Sequence, residues 1–246
     1  LIERLVQFQL DQHPHLTQQG DGSEVDDASQ NDSIFVVFVK MQLLLLLKQY
    51  DQASLLCAHL LGKEEACQLV DGAMCCQIKF CQALIEVGTI HCEKAMSTLQ
   101  ELLTKSSLLP STTHSKWQVR VQSQIAAIGL LVRDERAALV AYESALTAAK
   151  ELQIISTNVA EMGQWTAPCH VVAFLTLEVG KLYVFFEKYA EAFELFLEVQ
   201  SSSPLSSLHV DGYCAMGIGE SKRFDPATSI SNFEKGLEIS EALFGH

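Results

Sequence analysis

The chain has 246 residues, of which 48% are hydrophobic, with only five prolines and thirteen glycines. That content supports one extended domain or two compact ones and excludes a disordered chain. Seventeen basic against thirty acidic side chains leave a formal charge of -13, a field that repels nucleic-acid phosphates and anionic lipid headgroups, so neither nucleic acid nor an acidic membrane is an expected direct partner.

Leu, Ala, Glu, Gln and Lys dominate the periodic stretches, a helix-forming composition that predicts an all-α fold. Residues 1–33 are read as a separate N-terminal part, a helix fragment over Leu1 to Leu10 followed by an acidic mobile loop. Glu3, Asp11, Asp21, Glu24, Asp26, Asp27 and Asp32 face the single Arg4 there, and Thr17 to Ser33 is polar without periodicity. Residues 34–246 are read as the repeat domain. Its first stretch, Ile34 to Leu47, is the most apolar in the chain, yet it carries Lys40 and Gln42 and falls short of the roughly 20 residues a membrane-spanning helix needs. It is expected to be a buried helix, with no direct insertion into membrane. No secretory signal is visible, which leads to the expectation of a cytoplasmic location.

From Ile34 onward the pattern is helix, short turn, helix. Turns are announced by Gln49-Tyr50-Asp51, Val87-Gly88-Thr89, Arg133-Asp134, Glu187-Lys188 and Phe224-Asp225-Pro226. Hairpins are predicted over residues 34–61, 71–104, 117–150, 170–200 and 208–243. The fourth has Gly180, Tyr183, Ala192, Phe196 and Pro204 at the spacings of a tetratricopeptide (TPR) hairpin. In that motif small residues on the two helices allow close approach, an aromatic fills the groove and a proline stops the second helix. Setting the small residue of each second helix at Ala53, Ala95, Ala138, Ala192 and Ser229 aligns all five. The third hairpin (Ala126, Ala138, Tyr142, Ala145) and the fifth (Gly217, Ser229, Phe233, Gly236) match well, and the first two keep the small and apolar positions. Successive markers are 42, 43, 54 and 37 residues apart, against about 34 in regular arrays, so the extra length is assigned to connections. The expected architecture is a superhelical array of about five TPR-like hairpins, an α-solenoid.

Two connections are long. Lys105 to Ser115 is Ser/Thr-rich with Pro110 and reads as a surface turn. Ile154 to Pro168 contains Met162, Gly163 and Trp165, and a loop tryptophan is either a plug over the repeat face or a contact for a partner. By template position the first helix of each hairpin lines the groove of the array, which makes Arg120, Gln124, Lys181 and Phe185 candidates for partner contact, and equally for solvated or core positions.

Chemistry-bearing motifs are weak. Gly217-Ile-Gly-Glu-Ser-Lys222 resembles a phosphate-binding loop but lacks the Gly-Lys-Ser/Thr ending and a preceding strand. Cys67, Cys75, Cys76, Cys81, His91 and Cys92 are zinc-ligand types without a Cys-x-x-Cys knuckle, and adjacent Cys75 and Cys76 diverge by about 100° on a helix. With Cys57, Cys169 and Cys214 they are expected to be reduced core residues. His13-Pro14-His15 has no third ligand in reach, and Asn31-Asp32-Ser33 matters as a glycosylation acceptor only in a secreted chain. No catalytic residue, cofactor or metal is expected, and the chain is read as a non-enzyme.

Four groups of residues occur in an order that resembles a known family. Gly72-Ala73-Met74 with Ile78-Lys79 and Ala83 comes first, then Trp117 with Arg120-Val121. Leu131, Arg133, Asp134, Ala141 and Tyr142 follow, and last Gly180-Lys181-Leu182 with Ala192, Phe196 and Glu198-Val199. This series is similar to that of the TPR subunit called subunit twelve of the TRAPP vesicle-tethering complex, over roughly Val39 to Val199. The family's segment rich in Tyr, Pro and Gly-Arg is replaced by Lys-Glu-Glu-Ala-Cys, and the alignment needs a gap of about three residues after Trp117. The resemblance implies a non-catalytic scaffold subunit that binds large solenoid subunits of a Rab-activating assembly. It also implies peripheral association with early secretory membranes, in ER-to-Golgi traffic and autophagy.

The alternatives are a TPR subunit of another assembly (proteasomal, ciliary or RNA-processing) and a helical enzyme with a pocket of convergent titratable groups. A receptor for peptide carboxylates would need more Lys and Arg on its first helices. The isolated chain is expected to aggregate in part, because a terminal hairpin leaves an apolar face exposed.

Overall fold

The computed structural model describes residues 27–66, 72–156, 168–202 and 206–245, and among them all regular structure is helical. The helices are α1 (Asp27–Leu46), α2 (Tyr50–Ala66), α3 (Gly72–Gly88), α4 (Cys92–Ser106), α5 (Ser111–Leu131), α6 (Glu135–Ser156), α7 (Pro168–Phe185), α8 (Tyr189–Ser202), α9 (Ser207–Lys222) and α10 (Pro226–Phe244). They pair into five hairpins whose turns fall where the sequence places them. Two boundaries need correction: α1 begins at Asp27, inside the stretch read as acidic loop, and α5 begins at Ser111, inside the connection read as a surface turn. Acidic residues are favourable at a helix N-terminus, where they complement the macrodipole, so a polar, aperiodic run is compatible with a first helical turn. The fragment Leu1 to Leu10, His13, His15, Trp165 and Pro204 lie outside the described residues.

Every hairpin turns in the same way. Lys48, Ile90, Arg133, Glu187 and Phe224 have φ between 57° and 65°, and each lies five positions before its aligned small residue. In the second hairpin the Ile90 amide donates to the Val87 carbonyl at 3.0 Å and the His91 amide to the Glu86 carbonyl at 2.7 Å, and the other four turns repeat both bonds. This is the Schellman ending, which satisfies the last carbonyls of a helix through one left-handed residue. The place usually held by glycine carries a side chain in all five. Asp134 and Asp225 cap α6 and α10, accepting from the amides of Ala137 at 3.0 Å and Thr228 at 3.1 Å. The bonds from Thr228, its amide first and then its hydroxyl at 2.8 Å, hold the Asp225 carboxyl below its ordinary range.

The marker residues are where each pair of helices closes: Ala53, Ala95, Ala138 and Ala192 are fully buried and Ser229 nearly so. Ser229 also donates its hydroxyl to the Gly217 carbonyl at 2.8 Å.

The chain divides into two compact units between Leu102 and Leu103. In the first, Phe38, Met41 and Leu44 of α1, Ala53, Cys57 and Leu60 of α2, and Ile78, Cys81 and Ile85 of α3 form one core. Val36, Leu46 and Leu47 stay exposed, so the most apolar segment of the chain is amphipathic in place. No described helix is long and apolar enough to cross a membrane. Cys57, Cys76 and Cys81 are buried thiols.

In the second unit α5 and α6 bury Trp117, Val121, Ala126 and Ile128 against Ala138, Ala141, Tyr142 and Ala145. The following core joins Ala173, Leu177 and Val184 of α7 to Ala192, Phe196 and Val199 of α8 and to Leu208 and Ala215 of α9. The glycines of the phosphate-loop look-alike are helical and serve packing: a Cβ on Gly217 would meet the Phe233 ring and one on Gly219 the Phe193 ring, each at 2.9 Å.

Candidate functional site

Of the residues read from sequence as partner contacts, Arg120, Gln124, Lys181 and Phe185 lie on first helices of the second unit, and Trp165 lies outside the described residues. Arg120 and Gln124 are one turn apart on α5 and half-buried, and the Arg120 guanidinium sits 4.9 Å from the centroid of the Trp117 ring. Lys181 and Phe185 are one turn apart on α7. Lys181 reaches Glu178 of its own helix, with Nζ 2.7 Å from Oε1. Phe185 is 52% exposed and packs edge-on to Phe186 at 5.2 Å. The turn spacing brings Arg120 beside Gln124 and Lys181 beside Phe185, on the first helices of successive hairpins.

Between α6 and α7 lies a polar cluster that sequence reading missed. The Tyr183 hydroxyl donates to Glu143 Oε1 at 2.7 Å. That bond to a carboxylate, then burial, pushes the phenol up to about 12. Tyr142 is also pushed up to about 12, by burial first and then by the charge of Glu178. Glu143 is the position after the template aromatic Tyr142, which gives no hint of its role until the next hairpin is in place.

The first unit holds a cleft of about 330 Å³ between α2 and the turn of the second hairpin, lined among others by Asp51, Cys57, Glu86, His91 and Lys94. Its titratable lining is what the enzyme alternative requires, and no motif in the sequence points to it. Glu86 is buried, accepting from Gln82 Nε2 at 3.0 Å on one oxygen and from the Thr98 hydroxyl at 2.8 Å on the other, with Lys94 Nζ 3.4 Å away. Both oxygens are therefore engaged in tying α3 to α4. Burial, reinforced by Cys81 and Glu86, pushes the Cys57 thiol up to about 12. A thiol held protonated is a poor nucleophile at neutral pH, and its Sγ is directed at the Ile78 carbonyl 4.0 Å away. Among the described residues of the lining, Cys57 is therefore not an activated nucleophile. No group of three or more potential metal ligands occurs among the described residues.

Helical hairpins closed by small residues, with an aromatic one turn beyond in the third to fifth and a repeated turn in all, define the class: an all-α, TPR-like α-solenoid protein. Solved structures agree with that fold. The chain is similar to BtubC (BKLC) from P. vanneervenii, with 15% identity and a TM-score of 0.66 over 85% of this chain and 80% of that one. It is also similar to the apo form of RapI, with 13% identity and a TM-score of 0.73 over 98% of this chain and 61% of RapI. At these identities the likeness is one of fold. No protein-family model and no curated protein matches the sequence.

Proposed function

We propose that this chain is a non-catalytic helical-repeat scaffold, a TPR subunit of a TRAPP-type vesicle-tethering, Rab-activating assembly that binds a large solenoid subunit. The observation that carries the reading is the order of the four residue groups, one in each of the second to fourth hairpins and one across the α5–α6 turn. The scaffold part draws support from physics. Each hairpin has an apolar stripe that must be covered by a neighbour, and such stacks present extended surfaces to other proteins. Arg120, Gln124, Lys181, Phe185 and Trp165 are the contacts we assign to partners. Membrane association, at the ER–Golgi boundary and in autophagy, would then come through the assembly.

A second reading, a TPR subunit of another assembly, is favoured by Lys63-Glu64-Glu65-Ala66-Cys67, which stands where the family has its Tyr-, Pro- and Gly-Arg-rich segment. Affinity purification of the tagged protein from its own cells separates the two. Stoichiometric recovery of TRAPP core and large solenoid subunits is the expected result. Recovery of a different stable set overturns the tethering assignment and names the other complex.

A further inference from the structure

The aligned second helices of the unit from Leu103 onward allow the same positions to be compared in three hairpins. One position after the marker stand Leu139, Phe193 and Ile230, and four positions after it Tyr142, Phe196 and Phe233. At eight positions after it stand Leu146, Gln200 and Leu237. In α6 and α8 these positions are covered: Tyr142, Phe196 and Leu146 are buried, and Leu139, Phe193 and Gln200 are half-buried. The cover is the first helix of the following hairpin. α7 packs on α6, with Tyr183 bonded to Glu143, and α9 packs on α8, with Gly219 under the Phe193 ring and Gln200 bonded to Met216 Sδ at 3.3 Å.

On α10 the same positions are open. Ile230 is 56%, Phe233 41% and Leu237 60% exposed, and Phe244, two turns further, is 71% exposed. Second helices that end a stack carry polar outer faces when nothing follows. Here the uncovered face is apolar at the covered period, and the interface that α7 and α9 each make is the one that would continue onto it. Glu234, Glu238 and Glu241 edge this stripe, whereas the cation of α10, Lys235, lies 5.8 Å from the Tyr213 ring of its own hairpin. The edge is acidic, which disfavours a second copy bringing the same glutamates and a formal charge of -13.

We propose that the outer face of α10 docks an amphipathic helix of a partner protein, with an apolar stripe flanked by Lys or Arg, in the place a further hairpin's first helix would take. This rests on the scaffold reading and holds whichever assembly the chain belongs to.

The test uses the full-length protein in its own cells with the photo-crosslinker benzoylphenylalanine replacing Leu237, followed by purification and mass spectrometry of the crosslinked segment. Leu237→Glu and Ile230→Glu are purified in parallel, with Leu55→Glu, at a site 74% exposed in the other unit, as control. The expected result is one crosslinked segment from another protein, with apolar residues at helical spacing and basic flanks. Recovery of that protein should fall about tenfold or more with the two α10 variants, the scale of losing an interface anchor, and stay unchanged with the control. Thermal unfolding of each variant confirms the fold, since all three sites are exposed. A crosslink to a second copy, or to another part of the same chain, overturns the proposal. So does undiminished partner recovery in both α10 variants, which leaves the scaffold reading standing. A chain that purifies with no partner at all overturns both.

Discussion

Gly180 and Gly217 occupy the same template position in successive hairpins, yet replacing each by alanine should give different results. A Cβ on Gly180 would lie 2.5 Å from Cε1, 3.0 Å from Cδ1 and 3.1 Å from Cζ of Phe196, where carbon atoms prefer roughly 3.5–4.0 Å. The ring must move by about 1 Å, and Phe196 is fully buried among Leu177, Val184, Val199 and Leu208. Overpacking of this kind costs about 1–3 kcal/mol, while alanine in place of glycine inside a helix returns about 0.5–1 kcal/mol. The expected balance is a net loss of about 1–2 kcal/mol. At Gly217 the nearest Phe233 atoms are as close as 2.9 Å, but Phe233 is 41% exposed and can swing outward, so the two contributions should cancel to within about 0.5 kcal/mol. Gly236 meets nothing nearer than the Tyr213 Cβ at 3.5 Å, an ordinary contact, and Gly236→Ala should stabilise by about 0.5–1 kcal/mol. Urea unfolding followed by circular dichroism, compared at unchanged slope, measures all three. The double variant Gly180→Ala/Phe196→Leu should recover part of the loss, because the strain is pairwise. A Gly180→Ala protein as stable as the parent, or one more stable than Gly217→Ala, would refute the packing argument.

Other expectations follow from the turns and the buried polar groups. Ile90 is β-branched, left-handed and 86% exposed, so Ile90→Gly relieves strain without losing packing. It should stabilise by about 0.5–1 kcal/mol, the left-handed cost less the entropy of glycine, visible as a rise in Tm. Glu86→Ala leaves Gln82 Nε2 without its acceptor and the Thr98 hydroxyl with only the Lys94 carbonyl at 3.1 Å, and the loss of these bonds to a charged group should cost about 1.5–3 kcal/mol in chemical unfolding. Tyr142 and Tyr183 keep their protons to about 12 when folded, against an ordinary 10.0. Between those values the unfolded chain releases protons that the folded chain holds. Their contribution is therefore complete below pH 10 and lost as pH rises toward 12. Tyr183→Phe should flatten that decline in a pH series of unfolding midpoints.

The hairpins were legible because their signal is local: apolar residues at helical period, and small residues at Ala53, Ala95, Ala138, Ala192 and Ser229, each exclude a bulky neighbour by themselves. The turns were legible in place and not in kind. A left-handed helix ending is announced by glycine, and Lys48, Ile90, Arg133, Glu187 and Phe224 carry no such mark, since their conformation follows from helices already fixed on either side. Glu86 reads in sequence as an ordinary surface glutamate of a helix. Its burial depends on Thr98 and Lys94, twelve and eight residues away on the next helix, a pairing that periodicity does not encode. Of the candidate partner residues, sequence gave the helix and the turn but not the neighbours. That Arg120 stacks on Trp117 and Lys181 pairs with Glu178 is decided by rotamers within one helical turn.

The residues that carry the family resemblance are largely those that make the fold. Ile78, Ala83, Val121, Ala141, Tyr142, Ala192, Phe196 and Val199 are all buried, and each is explained by helix closure or by the next hairpin. Selection for a TPR stack of any kind acts on the same positions in the same order. What distinguishes one scaffold from another must then lie in side chains that the stack does not need, and large exposed apolar ones occur in every hairpin. Phe224 at 92% exposure, Leu237 at 60% and Ile230 at 56% gather on the last hairpin. Unlike Ala192 or Phe196, none of them has a packing reason to be apolar, and each costs solubility while it stays uncovered. Ile230, Phe233 and Leu237 differ from the other exposed apolar residues in standing at the positions that the next hairpin covers in α6 and α8, so the outer face of α10 is the first place to look for a partner's contact.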